Sequence, residues 1–390
     1  MATLNRFGSV FFTAYKTEIL LACCWILVQS LLYYQNGIVT EFEARKYIIE
    51  ADSLIATGKV TSPNFWLYSV QIFLIAAAKK LHTGLVSVAI VQWVFNAITT
   101  GVFYKFCKLI SDKITGFIVT LMFIFTIPLQ THNSFLQTES LFYSFTVLFS
   151  CYLLRLKQLT WKNFLLVFLF LIVICFSRPS GLLWMPCTFL YLFFRFFKNF
   201  LVAFKIAITA IATIGFLFFL NVALGSGGEL DFMLPYRDEN IICGVPTVAH
   251  SAEINISANP NSVFGIFYYI THNFGQFTRL ALLRSKAFWG LTRTYYSTGH
   301  NVYLILYFYP VYFLALLGIR SWFKKNRHIL LYCLSLILLT WGTVMLTCDD
   351  WHNRFYLSIV PYVYILTVPV IKSIADKLRT KAGKRYSVFQ

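Results

Sequence analysis

Residues 65–80 read FWLYSVQIFLIAAAKK, and whether this stretch crosses a bilayer decides the layout of all that follows. Its apolar part, 65–78, falls short of the roughly 20 apolar residues that a spanning helix needs, and it ends on Lys79-Lys80. Ten other runs are long enough to be read as spans: 17–34, 85–104, 114–129, 139–154, 163–178, 180–196, 202–224, 300–319, 328–347 and 355–371. If 65–78 stays on one side, the N-tail, 105–113, 155–162, 195–205, 320–327 and the C-tail share the other. Those segments carry 21 of the 33 Lys and Arg, and of the acids only Glu18, Asp112 and Asp376. If 65–78 crossed, every later basic loop would face outward, against the positive-inside rule. The expectation is an all-α polytopic protein of about ten spans with both termini cytoplasmic.

Composition agrees. The chain has 390 residues, 58% hydrophobic and only 12% charged, about half the charged share of a soluble domain. Its 41 Phe suit lipid-facing helices and aromatic belts. The net charge of +18 does not point to nucleic acid, because the basic residues are split into short clusters between apolar runs. The N-terminal run from Glu18 to Tyr34 has no small-residue cleavage pattern after it and reads as a first span rather than a cleaved signal. Most of the nine Cys lie inside apolar runs without metal-ligand spacing. Cys243 and Cys348 are the two expected on the outer side of the bilayer and could pair.

Three parts follow: a transmembrane module, 1–224, with a first outer loop at 35–84; a large outer loop, 225–299; and C-terminal spans with a basic tail, 300–390. The large loop contains Gly225-Ser226-Gly227-Gly228, Pro235, Pro246 and Pro260. Its second half, 263–296, interleaves aromatic and basic residues at near-helical spacing, as an interfacial helix does. Ionisable groups gather at the outer ends of spans: Glu41 and Glu43, Glu139, Arg178, and Asp349, Asp350, His352 and Arg354. Charge so near a bilayer is costly unless paired or used. In 41–58, EFEARKYIIEADSLIATG, Glu43, Tyr47, Glu50 and Leu54 share one helical face, and Ile48, Ala51 and Ile55 another.

The order Glu43, Tyr47, Ala51, Leu54, Gly58 resembles the first outer loop of the GT-C superfamily of membrane glycosyltransferases. The nearest branch is the protein O-mannosyltransferase and lipid A aminoarabinose transferase type. Thr138-Glu139 resembles the second acidic position of those proteins. Ser177-Arg178-Pro179-Ser180-Gly181, with Pro186, resembles their Arg-Pro-x-Gly turn, and Arg354-Phe355-Tyr356 with Pro361 their late Arg-Tyr pattern. His272-Asn273 and the stretch Lys286 to Trp289 resemble their large loop. The matches are short but run in order over nearly the whole chain. One departure is that the first acid is usually Asp.

The resemblance implies transfer of a sugar from a polyprenyl-phosphate donor to a glycan, lipid or protein acceptor at the outer face of a bacterial inner membrane. Glu43 would be the base for the acceptor hydroxyl, with Glu41 its competitor, and Glu139 would position the hydroxyl or hold Glu43. Arg354 and Arg178, with His352, would meet the donor phosphate, since a planar guanidinium suits phosphate. Arg178 equally suits a snorkelling cation, and Arg354 a salt bridge to Asp349 or Asp350. Arg279, Arg284, Lys286 and Trp289 would guide the carrier lipid or simply form an aromatic belt. No metal is required, although Glu41, Glu43 and Glu139 could hold a divalent cation. A lipid-linked polysaccharide polymerase or ligase, and a transporter or lipid flippase, are the alternative readings. Asn255-Ile256-Ser257 could accept a glycan in a eukaryote.

A tag placed at residue 108 should be protected from membrane-impermeant reagent in intact cells; labelling there would overturn this sidedness.

Overall fold

Helices make up the regular structure of the computed structural model, which describes residues 2–197, 201–225, 231, 233–245 and 253–386. Lys198, Ser226, Gly227, Gly228 and Pro246 lie outside the described residues. In chain order the helices are α1 (Ala2–Asn36), α2 (Glu43–Thr57), α3 (Ser69–Lys80), α4 (Gly84–Ile110), α5 (Lys113–Ile124), α6 (Ile127–Thr131), α7 (Glu139–Arg155), α8 (Trp161–Ser177), α9 (Trp184–Phe196), α10 (Val202–Gly225), α11 (Leu234–Arg237), α12 (Val263–His272), α13 (Phe274–Gly290), α14 (Thr298–Lys325), α15 (Arg327–Leu346) and α16 (Arg354–Tyr386). Local chemistry sets many of the starts. Asp112 caps α5 by accepting from the Ile114 and Thr115 amides at 2.9 and 3.0 Å, and Ser262 caps α12 by accepting from the Gly265 amide at 2.9 Å.

Among the described residues six helices are long and apolar enough to cross a membrane: Tyr15–Asn36, Gly84–Ile110, Val202–Val222, Thr298–Lys325, Arg327–Leu346 and Trp351–Thr380. A seventh span forms if α5 and Ile127–Ser134, bent by 60°, count as one. The other three expected runs give shorter helices, α7 and α8 of 17 residues and α9 of 13. The run 180–196 is shortened because Pro179–Leu183 winds as a 3-10 turn. The segment read as non-spanning forms α3, whose 12 residues at roughly 1.5 Å each extend about 18 Å, well short of a hydrocarbon core of about 30 Å.

The break between α5 and α6 leaves carbonyls without helical partners, and other helices supply them. Tyr307 Oη donates to the Met122 carbonyl and Tyr303 Oη to that of Phe125 at 2.9 Å, both from α14. Gln130 Nε2 donates to the Phe123 carbonyl at 3.0 Å. Broken backbone at membrane depth is tolerated when neighbours satisfy it in this way. Beside the break a buried polar chain joins α1 to α7: Gln29 Nε2 donates to Gln130 Oε1 (2.8 Å), as does Asn133 Nδ2 (3.0 Å), and Ser140 Oγ donates to Asn133 Oδ1 (2.6 Å).

The centre of the molecule is α16, in which every residue from Tyr356 to Pro369 is buried. Basic segments collect at one end of the bundle. Lys108 pairs with Glu18 at 3.7 Å and Arg379 with Asp112 at 3.7 Å, while Arg195 donates to the Leu156 carbonyl at 2.7 Å. At the opposite end Cys243 and Cys348 form a disulfide, beside a short bridge between Ile242 and Asp349. The stretch 263–296 differs from the single helix expected of it. It forms α12 and α13, which meet at Asn273, and ends at Leu291 with φ 62°.

Helix α14 lies so close to α16 that a Cβ on Gly318 would collide with the Leu366 carbonyl. Small residues at such crossings let backbones approach. Gly318→Leu is expected to lower the melting temperature of the detergent-purified protein by several degrees, because overpacking costs about 1–3 kcal/mol. An unchanged melting curve would mean this crossing does not support the bundle.

Candidate active site

Four segments bring charge to one end of the bundle. Glu43 starts α2 and Glu139 starts α7. Arg178 ends α8, and Asp350 and Arg354 flank the turn that opens α16. Arg354 joins them. Its Nη1 donates to Glu43 Oε2 and, at 2.9 Å, to Glu139 Oε1, and its Nη2 donates to Asp350 Oδ1 at 2.8 Å. Arg178 repeats the arrangement from the other side, with Nη1 on Glu139 Oε1 and Nη2 on Asp350 Oδ2 at 2.6 Å. Glu139 is fully buried and Arg354 nearly so, whereas the Glu43 side chain keeps 37% of its surface.

The Arg-Pro-x-Gly turn has a steric basis. Gly181 lies against α8, where a Cβ would strike the Ile174 carbonyl, and its amide closes the turn on the Arg178 carbonyl at 2.8 Å. The fold-back brings the Arg178 guanidinium onto Glu139 and Asp350. On the far side Asp349 pairs with the buried Arg293, and its backbone N–H and C=O bond to Ile241 and Cys243, each at 2.8 Å. Burial pushes the Asp349 carboxyl up to about 6, against the pull of Arg293. Asp349 thus holds the turn, while Asp350 both caps Trp351 (2.8 Å) and bridges the arginines.

A cavity of about 730 Å³ opens onto this cluster. Glu43 and Arg354 form its charged wall, Phe42, Pro128, Phe135 and Trp351 are apolar, and His132, His300 and His352 add polar groups. Phe42, His352 and Asn353 line it with φ of 57°, 56° and 58°. Left-handed backbone at non-glycine residues costs of order 1–3 kcal/mol each and gathers at ligand sites. Asn353 is held there by Nδ2 donating to the Leu291 carbonyl at 2.9 Å. His132 is buried at 3% exposure and lines the cavity, and its Nδ1 has no partner among the described residues.

Of the residues singled out from sequence, Glu43, Glu139, Arg178 and Arg354 come together, and His352 joins the cavity. Glu41 is exposed and does not line it. The loop residues do not reach it. Arg284 is buried and donates to the carbonyls of Asn240 (2.9 Å), Pro235 (3.0 Å) and Met345 (3.3 Å), so it ties the large loop together and is not free to meet a lipid phosphate. Trp289 packs on Tyr312, Trp341 and Tyr356. Arg279 pairs with Glu239, and Lys286 is exposed. Sequence reasoning missed the bridging role of Asp350, which its place four residues before Arg354 could have signalled, and it missed His132, which sits in the polar stretch after Pro128. Among the described residues no group of three or more His, Cys, Asp or Glu is arranged to hold a metal ion. The chain matches no family model and no curated protein among those compared.

Removing one partner from a buried ion network strands the others. Arg178→Ala should destabilise the protein by about 3–5 kcal/mol, read as a large drop in melting temperature, while Glu43→Gln at the half-open edge should leave melting nearly unchanged. Equal drops would show Glu43 to be a structural partner like the rest.

Proposed function

We propose that this chain is a GT-C-type membrane glycosyltransferase that moves a sugar from a polyprenyl-phosphate carrier to an envelope glycan, lipid or protein. The observation that carries the reading is a reachable carboxylate, Glu43, paired with a guanidinium, Arg354, on the charged wall of one amphipathic cavity. Such a cavity suits a substrate with a polar head and an apolar tail. The layout that goes with this reading has ten spans, with α7, α8 and α9 crossing as the shorter ones. Both termini are cytoplasmic and the cavity opens on the periplasmic side of a bacterial inner membrane. The disulfide at the cavity end supports this, since disulfides persist in oxidising compartments, as do the basic loops at the other end.

In the transfer step the acceptor hydroxyl gives its proton to Glu43 as its oxygen bonds to the anomeric carbon of the sugar. The bond from that carbon to the carrier phosphate breaks, and its electron pair leaves with the phosphate, whose charge Arg354 offsets. Arg178, Glu139 and Asp350 position Arg354, and His132 is placed to hydrogen-bond the sugar. Glu43 is not yet a strong base in the free protein. Partial burial alone would raise its carboxyl, but Arg354 beside it prevails and holds it below the usual carboxylate range. A donor phosphate competes for Arg354 and frees Glu43 when the base is needed.

The test is consumption of radiolabelled polyprenyl-phosphate sugars by purified protein supplemented with envelope extract. Wild type should consume one donor, Glu43→Gln should lose about 10²–10⁴-fold in rate, and Glu41→Gln should match wild type. The acid limb of kcat/KM, which reports the free protein, should lie below the usual carboxylate range. Consumption of no donor by folded wild type, joining of preformed lipid-linked oligosaccharides alone, or transport without a covalent product would each reject the proposal.

A further inference from the structure

Two neighbouring cavities share a rim at the end of the bundle away from the carboxylate–arginine cluster. One, of about 710 Å³, is an apolar groove between α9 and α15 that includes Leu190, Phe194, Leu331, Leu334 and Leu338. The other, of about 640 Å³, is basic and includes Arg195, Lys324, Lys325, Asn326 and Arg327. Phe323, Arg327 and His328 belong to both. The groove lies on an open flank, since Phe194, Phe323 and Leu338 are 51%, 70% and 53% exposed.

The basic residues at this end differ in whether an acid partner meets them. Lys108 and Arg379 each have an acid partner. Among the described residues no carboxylate pairs with Arg195, Lys324, Lys325 or Arg327. Arg195 is nonetheless fixed in place, donating to the Leu156 carbonyl and lying over the rings of Tyr191 and Phe196. An anion is thus called for at the mouth and an apolar chain along the groove, and the shared rim asks for both in one molecule.

We propose that this site binds one anionic phospholipid of the bilayer, with its phosphate among Arg195, Lys324, Lys325 and Arg327 and one acyl chain along Leu190, Leu331, Leu334 and Leu338. Basic pockets between transmembrane helices recognise anionic headgroups. A zwitterionic lipid would bring its own cation against the lysines, so net charge selects the ligand. The bound lipid would clamp the α14–α15 hairpin to α9, and this role does not depend on the transfer reaction.

The full-length protein in detergent would be titrated with phosphatidylglycerol or phosphatidylcholine of identical acyl chains, with bound lipid counted by native mass spectrometry and melting temperature followed in parallel. One phosphatidylglycerol should stay bound and raise the melting temperature under conditions that strip phosphatidylcholine. The double variant Lys324→Gln/Arg327→Gln should bind it at least ten-fold more weakly. Leu334→Trp, which fills the groove and keeps every cation, should do the same; if it fails to fold, the charge variant decides. Lys105→Gln/Lys113→Gln, which removes equal charge from the same end of the bundle, should bind as wild type does. Equal retention of phosphatidylcholine, an equal loss in the Lys105/Lys113 control, or full displacement by inorganic phosphate would overturn the proposal.

Discussion

Two guanidinium groups hold three carboxylates at one end of this helix bundle. Arg178 and Arg354 share Glu139 and Asp350, and Arg354 reaches on to Glu43. The group carries one negative charge in excess in a largely buried setting, and burial of ions is tolerated only when geometry and hydrogen bonds are nearly complete. The five members come from four separate segments, so the balance can form only when the start, middle and end of the chain are correctly packed. The Gly181 fold-back, the disulfide beside Asp349 and the paired left-handed residues His352 and Asn353 all bear on where these side chains point.

The members of the cluster are not equivalent. Glu139 and Arg178 are paired with partners inside the protein. Glu43 lies at the edge, half-open to the cavity, with Arg354 as its tie to the rest. An incoming anion can therefore exchange with Glu43 on Arg354 without dismantling the interior pairs. The design separates a rigid support from one exchangeable contact, and that division is what a catalytic reading of the site requires.

The membrane shapes the support as much as the charges do. The broken α5–α6 segment approaches the cavity without hydrogen-bond cost because α14 tyrosines and Gln130 take up the freed carbonyls. The same break sets His132 and Pro128 in the cavity wall. Helix α16 runs from Arg354 through the middle of the bundle, so the cluster rests on a helix buried without interruption from Tyr356 to Pro369.

Much of this was legible in the chain itself. Residence in a membrane follows from composition, and the grouping of basic loops at one end follows from where Lys and Arg fall between apolar runs. Both are local properties that survive without knowing any contact. The amphipathic stretch 41–58 was marked by its spacing, and Glu43, Glu139, Arg178 and Arg354 stood among the ionisable groups at the outer ends of spans, from which the family resemblance singled them out. Tertiary structure alone decided the rest. Arg354 and Glu43 meet across 311 positions, and no pattern in either segment records that encounter. Glu41 and Glu43 differ by two residues, and only packing determines which carboxylate faces the cavity. Arg284 looked like a headgroup contact because an arginine among aromatics reads alike on a surface or in a core, until the loop carbonyls that it satisfies are brought to it. Pairwise charge and hydrogen-bond partners are set through space, so the sequence could name the participants while the fold assigned their roles.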